Sequence, residues 1–216
     1  MKFGKDFGTF SFRWDQVVTA VLKKYPNPYS PHILSEDVIH REIKNGKLYS
    51  KKLIKKVQLK SIPSFLRGVV HWATRGKDTC FVLEESEVDL ETRKCTTYTR
   101  NVDMLTYADV VEKVVYKEDE EVSQKTQIDR SHWVSARFSK LGSESYLFGR
   151  CKSRIPETNR GIDYVIRTLF APETLHELEK KEHKLKMNLE RVKEVKEKVK
   201  PRMEKLIPTC KAQEDY

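Results

Sequence analysis

The sequence predicts an α+β fold in which a curved antiparallel sheet grips a long C-terminal helix. Three observations predict it: a short apolar helical stripe closed by a proline-dense turn, six strand-like runs with no helix between them, and a change to helical apolar spacing from about residue 139. Strands that follow one another directly argue for a meander, since a parallel sheet needs crossover helices. A sheet curved round a helix leaves room for a cavity between the two layers.

Each element has its own signal. Residues 7–12 place Phe10 and Phe12 in strand alternation. Asp15 is predicted to cap a short helix with the stripe Val17, Val18, Val21 and Leu22, ended by Pro26. The run Lys24-Tyr25-Pro26-Asn27-Pro28-Tyr29-Ser30-Pro31 carries three prolines and must be a stiff turn. Residues 33–43 and 48–59 read as strands joined at Asn45-Gly46, a strong hairpin signal. The second of these carries Lys51, Lys52, Lys55 and Lys56, with Lys60 beyond it; Lys51, Lys52 and Lys55 read as solvated surface charges. Ser61-Ile62-Pro63 breaks the strand, and the apolar stretch 62–76 reads as a short buried helix or a mobile flap. Residues 78–89, 94–103, 109–117 and 122–134 read as four antiparallel strands. The aromatics Trp14, Tyr98, Trp133 and Phe138 read as core.

In the C-terminal helix, Leu141, Tyr146, Leu147, Ile155, Ile162, Val165, Ile166 and Leu169 supply a buried face, and Pro156 is predicted to kink or split it. Residues 173–207 are rich in Glu and Lys, and Leu178, Leu185, Val192, Val199 and Leu206 recur every seven residues beside Leu175, Leu189 and Met203. That spacing fits a coiled-coil seam, which Pro201 weakens, and equally fits an exposed amphipathic helix or one lying on a membrane surface.

The 216 residues suffice for one domain with a sizeable core and an extension. The 42 Lys and Arg against 32 Asp and Glu leave a formal charge of +10, which favours anionic partners without choosing among them. The charge is spread and interrupted by acidic stretches such as 118–121, and no stacking-aromatic motif appears, so nucleic acid is not expected as a partner. No apolar run is long enough for a membrane-spanning helix, and the N-terminus lacks both a signal-type apolar region and an amphipathic targeting helix. Cys80, Cys95, Cys151 and Cys210 show no metal or redox spacing and read as free thiols, with Cys80 and Cys95 on neighbouring strands that could face each other. His40, His71 and His132 show no metal spacing, and nucleophile-elbow, P-loop, dinucleotide and zinc-protease signatures are absent, so neither an enzyme nor a bound metal or cofactor is expected.

The turn carries more than local chemistry. Lys24-Tyr25-Pro26-Asn27-Pro28-Tyr29-Ser30-Pro31-His32-Ile33-Leu34, continuing through Ser35-Glu36-Asp37-Val38-Ile39-His40-Arg41-Glu42, resembles the signature of the PRELI-like family. Lys52-Leu53-Ile54-Lys55-Lys56, Thr96-Thr97-Tyr98-Thr99-Arg100-Asn101 and Gly161-Ile162-Asp163-Tyr164-Val165-Ile166 keep that family's order and spacing. The resemblance implies a START-like helix-grip fold with about seven strands over residues 1–171, and composition leaves 172–216 as a charged helical tail. It implies non-vesicular transfer of an acidic phospholipid, phosphatidic acid or phosphatidylserine, across the mitochondrial intermembrane space. Its implied partner is a small, cysteine-paired helical hairpin protein. The details around Tyr29-Ser30-Pro31-His32 and His40-Arg41-Glu42 look closer to the phosphatidic-acid branch.

The resemblance also implies sites. Lys24, Lys56, Lys60, Arg150 and Arg154 fall where the family holds the lipid headgroup; His32, beside Pro31, is a further headgroup candidate that reads more readily as a residue ordering the turn. Arg154 stands where the family carries Asn, and Glu157 where it carries Lys, so the headgroup chemistry differs locally. Phe65, Leu66, Arg67, Val69, Val70 and Trp72 fall on the implied lid and membrane contact. The chemistry is coherent: acyl chains need an apolar cavity, and a phosphate needs cationic donors because an unpaired buried charge is prohibitive. The rival reading is a non-transferring scaffold that uses its helical tail.

Overall fold

The computed structural model describes residues 1–57, 68, 79–103, 105, 108–122, 124–136 and 142–174, with scattered helical positions between 176 and 193. Lys60, the implied lid from Phe65 to Trp72 apart from Gly68, Phe138, Leu141, Cys210 and the apolar seam of the tail lie outside the described residues. The chain divides into two compact units, Met1–Phe170 and Ala171–Tyr216.

The first unit runs β1 (Lys2–Phe10), α1 (Trp14–Leu22), β2 (Ile33–Lys44), β3 (Lys47–Val57), β4 (Thr79–Asp89), β5 (Lys94–Asn101), β6 (Ala108–Glu118), β7 (Thr126–Ala136) and α2 (Ser143–Phe170). The strands form one seven-stranded antiparallel sheet in the order β1-β7-β6-β5-β4-β3-β2, curved about the C-terminal helix as the sequence predicts. The β2–β3 turn places Asn45 at φ 51° and Gly46 at φ 75°, the pair of positive φ values that a two-residue hairpin demands.

One end of the sheet's inner face is closed by α1 and the second half of α2. Trp14, Val17, Val18, Ala20 and Val21 of α1 meet Ile162, Val165 and Ile166 of α2 above Val88, Cys95, Val114, Tyr116 and Ile128 of the sheet. The indole of Trp14 donates to the Tyr116 carbonyl at 3.1 Å, which satisfies its one polar group inside the core.

Several expectations need correction. Strand β1 begins at Lys2 because it pairs with β7 from Lys2↔Val134 to Phe10↔Thr126, a long-range register invisible in local alternation. Phe12 therefore lies past the strand. Asp15 does not cap α1. It sits inside the first turn and accepts the Arg13 guanidinium at 3.0 and 2.9 Å, while the Arg13 N–H donates to Gln16 Oε1 at 3.2 Å. Strand β7 starts at Thr126, not 122, because Asp119 Oδ1 accepts the N–H groups of Glu121 and Val122 and holds that segment in a turn.

Pro156 does not split the helix: α2 continues through it from Ser143 to Phe170. Packing anchors both halves, with Phe148 against His132 before the proline and Ile162 and Ile166 in the core after it. Cys80 and Cys95 do not face each other, since Cys95 pairs with Val88 and Cys80 with Lys56. Tyr98, on the opposite parity from buried Thr97, points to the outer face beneath Lys113. Trp133, next to buried His132, likewise lies on the outer face and stacks on Phe3 at 5.3 Å. Leu169 is exposed at the end of α2.

Candidate functional site

Strand parity decides which side chains face the helix. On β3 the inner row is Leu48, Ser50, Lys52, Ile54 and Lys56, opposed on β4 by Val88, Ser86, Glu84, Val82 and Cys80. The row thus passes from apolar core, through buried polar groups, to Lys56 at the far end.

Four of the expected headgroup residues converge at that far end. The Val57 N–H donates to the His32 carbonyl at 2.8 Å, which fixes His32 beside the end of β3. Burial pushes the His32 imidazole below its ordinary pKa; Arg154 and Lys56 push it further, Arg150 adds to them, and Glu157 opposes them. A turn, a strand end and the first half of α2 therefore bring Lys56, Arg150 and Arg154 within electrostatic reach of one imidazole. Arg154 Nη1 donates to Glu157 at 2.8 Å, and the Arg150 guanidinium lies 6.0 Å from the Tyr146 ring centroid. Cys151, on the same helix, is pushed up to about 11 by burial first, with Glu112 adding and Lys56 and Arg150 opposing. Cys80, opposite Lys56, is pushed up by burial as well, so both thiols stay protonated near neutrality.

Lys24 stands apart from this cluster. Its ammonium pairs with the carboxylate of Glu84, which is 2% exposed. Burial alone would lower the Lys24 pKa, but Glu84, with Tyr25 and Tyr116 nearby, holds it well above the ordinary lysine value. Glu84 also lies 4.0 Å from Lys52, whose ammonium pairs with Glu36 and donates to the Leu22 carbonyl at 2.7 Å. Lys52 is 1% exposed, which corrects its reading as a surface charge. The available signal was its parity with Ile54, but a lone lysine on an inner row cannot announce the two carboxylates that meet it.

The proline-rich turn lies between sheet and helix. Asn27 Nδ2 donates to the Lys24 carbonyl at 2.6 Å, Asn27 Oδ1 accepts the Tyr29 N–H at 3.0 Å, and the rings of Tyr29 and Tyr164 meet edge-on at 6.0 Å. A Cβ on Gly161 would fall 2.8 Å from Asn27 Oδ1, so the turn and the Gly161-Ile162-Asp163-Tyr164 motif are two halves of one contact.

A second polar group went unread in the sequence. Asp6, Glu112, Arg130 and His132 share the inner face of β1, β6 and β7 under α2. Burial lowers the His132 pKa, opposed by Asp6 and Glu112 and reinforced by Lys152 and Arg130. Both His32 and His132 therefore bind a proton less readily folded than unfolded. Their contribution to stability is complete above the unfolded value of about 6.5 and declines as pH falls below it. Urea midpoints are expected to fall between pH 7.5 and 5.5, with a shallower fall in His132→Gln; an identical slope in that variant would remove His132 from the account.

Comparison with known proteins now decides the family. The model of the PRELI-like family matches residues 15–173 of this chain. The chain belongs to the PRELI-like family. Among its PRELI-like relatives, "PRELI domain-containing protein 1, mitochondrial" of Gallus gallus is 32% identical over 173 residues, covering 76% of each chain. The protein of the same name in Homo sapiens is 34% identical over 164 residues, covering 72% of this chain and 71% of that one. "Protein ups1 homolog" of Schizosaccharomyces pombe is 30% identical over 163 residues, covering 74% of this chain and 91% of that one. The PRELI-like fold is shared more widely. TTHA0849 of Thermus thermophilus superposes with a TM-score of 0.53 at 12% identity, covering 79% of this chain and 100% of that one. The Zhui aromatase/cyclase of a Streptomyces species superposes at 0.50 with 10% identity, covering 80% of this chain and 98% of that one. At those identities the likeness is one of fold alone.

Proposed function

We propose that this PRELI-like chain is a non-enzymatic carrier that moves an acidic phospholipid, with phosphatidic acid favoured, between the outer and inner mitochondrial membranes. The observation that carries the reading is the convergence of Lys56, Arg150 and Arg154 around His32. Among the described residues that act most strongly on His32, three cations meet one carboxylate, that of Glu157, so positive charge is in excess there. A phosphomonoester carries about −1.5 to −2 at neutral pH, so it matches that charge better than a phosphodiester does. Lysine suits a headgroup that must be released, because it holds phosphate as a point charge without a rigid fork. The mitochondrial naming of the relatives supports the compartment. Within it, the intermembrane space and a small cysteine-paired helical hairpin partner complete the proposal.

One observation favours a second reading. Glu157 lies beside the cations and offers a carboxylate that a headgroup ammonium could meet, which phosphatidylserine carries and phosphatidic acid lacks.

The test is transfer of fluorescent phosphatidic acid, phosphatidylserine and phosphatidylcholine between liposomes by the full chain, alone and with a hairpin partner. Lys56→Glu and Arg150→Glu are each expected to lower phosphatidic acid transfer by about tenfold or more, since a charge-assisted hydrogen bond contributes about 1.5–3 kcal/mol and reversal adds repulsion. Lys51→Glu, on the outer face and paired there with Glu85, serves as the control. Equal transfer by the Lys56 and Lys51 variants would sink the headgroup assignment. Phosphatidylserine preference that disappears in Glu157→Gln would select the second reading.

A further inference from the structure

The headgroup reading makes no use of a second polar group on the inner face, in which Arg130 and His132 are buried while Asp6 and Glu112 are 36% and 37% exposed. Asp6 of β1 is in register with Arg130 of β7, and His132 is in register with Glu112 of β6 and Gly4 of β1. The Phe148 ring of α2 packs 5.2 Å from the His132 ring. A Cβ on Gly4 would fall 2.7 Å from that phenyl ring and 2.8 Å from His132 Nε2, so the glycine makes room for both.

The hydrogen-bond inventory of this group is incomplete. Arg130 is 3% exposed, and its Nη2 donates to Asn159 of α2 at 3.3 Å. Its Nε lies 3.3 Å from Glu112 as an ion pair without hydrogen-bond geometry, and among the described residues neither Nε nor Nη1 meets a hydrogen-bond acceptor. His132 is 0% exposed and neither ring nitrogen has a hydrogen-bond partner among the described residues, although Nε2 lies 3.8 Å from Asp6 Oδ2, itself a buried atom with none among them. Folded proteins rarely leave so many buried polar atoms unmatched in one place.

Charge and atom type narrow what would match them. Asp6 and Glu112 face the Arg130 guanidinium, and Lys152 brings a second positive charge near His132, so the group is formally balanced and favours neither an anion nor a cation. The open valences are mixed, with donors on Arg130, an acceptor on Asp6 and one of each on a neutral imidazole. A hydroxyl both donates and accepts. Residues 130 and 132 stand two apart on one strand, about 6.8 Å along it. Two hydroxyls on adjacent carbons can each reach one of a pair of groups so spaced.

We infer that Asp6, Glu112, Arg130 and His132 form an internal subsite for an uncharged, hydroxyl-bearing group of the vicinal-diol kind. The diol has two sources, a free polyol or the glycerol headgroup of a phospholipid, and the second rests on the carrier reading above.

The test uses the full chain and two probes, free glycerol and vesicles of phosphatidylglycerol, with phosphatidic acid vesicles of the same acyl chains as reference. His132 imidazole signals, assigned in nitrogen-15 NMR through His132→Gln, are expected to shift with glycerol or with phosphatidylglycerol and to stay in place with phosphatidic acid. A response to glycerol alone names a free polyol as ligand, and a response to phosphatidylglycerol names the lipid. In lipid uptake, His132→Phe is expected to lower phosphatidylglycerol about tenfold more than phosphatidic acid, the loss of roughly one well-made hydrogen bond. Arg130→Lys, which keeps the charge opposite Glu112, is expected to shift the same ratio in the same direction. No shift with either diol would overturn the subsite and leave ordered water as its occupant. That failure is separate from failure of the carrier reading, which is judged by phosphatidic acid transfer in the Lys56 variant.

Discussion

Lys52→Ala is expected to destabilise the domain by about 3–5 kcal/mol, the cost of breaking a buried ion pair on one side. Lys52 is 1% exposed and its ammonium pairs with Glu36, donates to the Leu22 carbonyl at 2.7 Å and lies 4.0 Å from Glu84. Removing it leaves the Glu36 carboxylate in the interior without its cation, and leaves the end of α1 untied from β3. Glu84 keeps Lys24, so the loss concentrates on Glu36. Urea unfolding should show a lower midpoint with an unchanged slope. The double variant Lys52→Met, Glu36→Gln should cost less than the sum of the two single changes, because the charges are removed together. A cost under about 1 kcal/mol for Lys52→Ala would mean that the pair is solvated in solution and that the inner row is not dry there.

Gly161→Ala is the second large expectation, and its sign runs against helix propensity. In an exposed helix interior the change would stabilise by about 1 kcal/mol. Here the added carbon would meet Asn27 Oδ1 at 2.8 Å and Nδ2 at 3.0 Å. Asn27 cannot swing aside cheaply, because Nδ2 holds the Lys24 carbonyl and Oδ1 holds the Tyr29 N–H. Overpacking of this kind costs about 1–3 kcal/mol, so a net loss of up to about 2 kcal/mol is expected. Thermal or urea unfolding measures it, and adding Asn27→Ala to Gly161→Ala should recover part of it. A stabilised Gly161→Ala would show that α2 shifts freely over the turn.

The legibility of this chain varied with the range of the interaction. The hairpin at Asn45-Gly46, the stiff turn around Pro26, Pro28 and Pro31 and the stripe of α1 are local, and each was readable from neighbouring residues. Where a distant partner intervened, reading failed. The start of β1 depends on β7, and the continuity of α2 through Pro156 on what packs against its two halves; the start of β7 was missed for a local reason, the turn held by Asp119. Of the expected headgroup residues, Lys56, Arg150 and Arg154 lie close enough to perturb the His32 imidazole, while Lys24 is committed to Glu84. Their positions in the sequence came from a family resemblance, and no spacing rule would have grouped them.

The sequence by itself determined the strand and helix content, the meander, the stiff turn and the family, because alternation, proline chemistry and motif order are properties of neighbouring residues. The tertiary structure alone decided which charges are interior. Lys51 and Lys52 are chemically identical neighbours, yet one faces solvent beside Glu85 and the other lies buried against Glu36 and Glu84. The difference is strand parity combined with cross-strand register. Those carboxylates arrive from β2 and β4, and register is set by pairing and by the turns between strands rather than by the lysine itself.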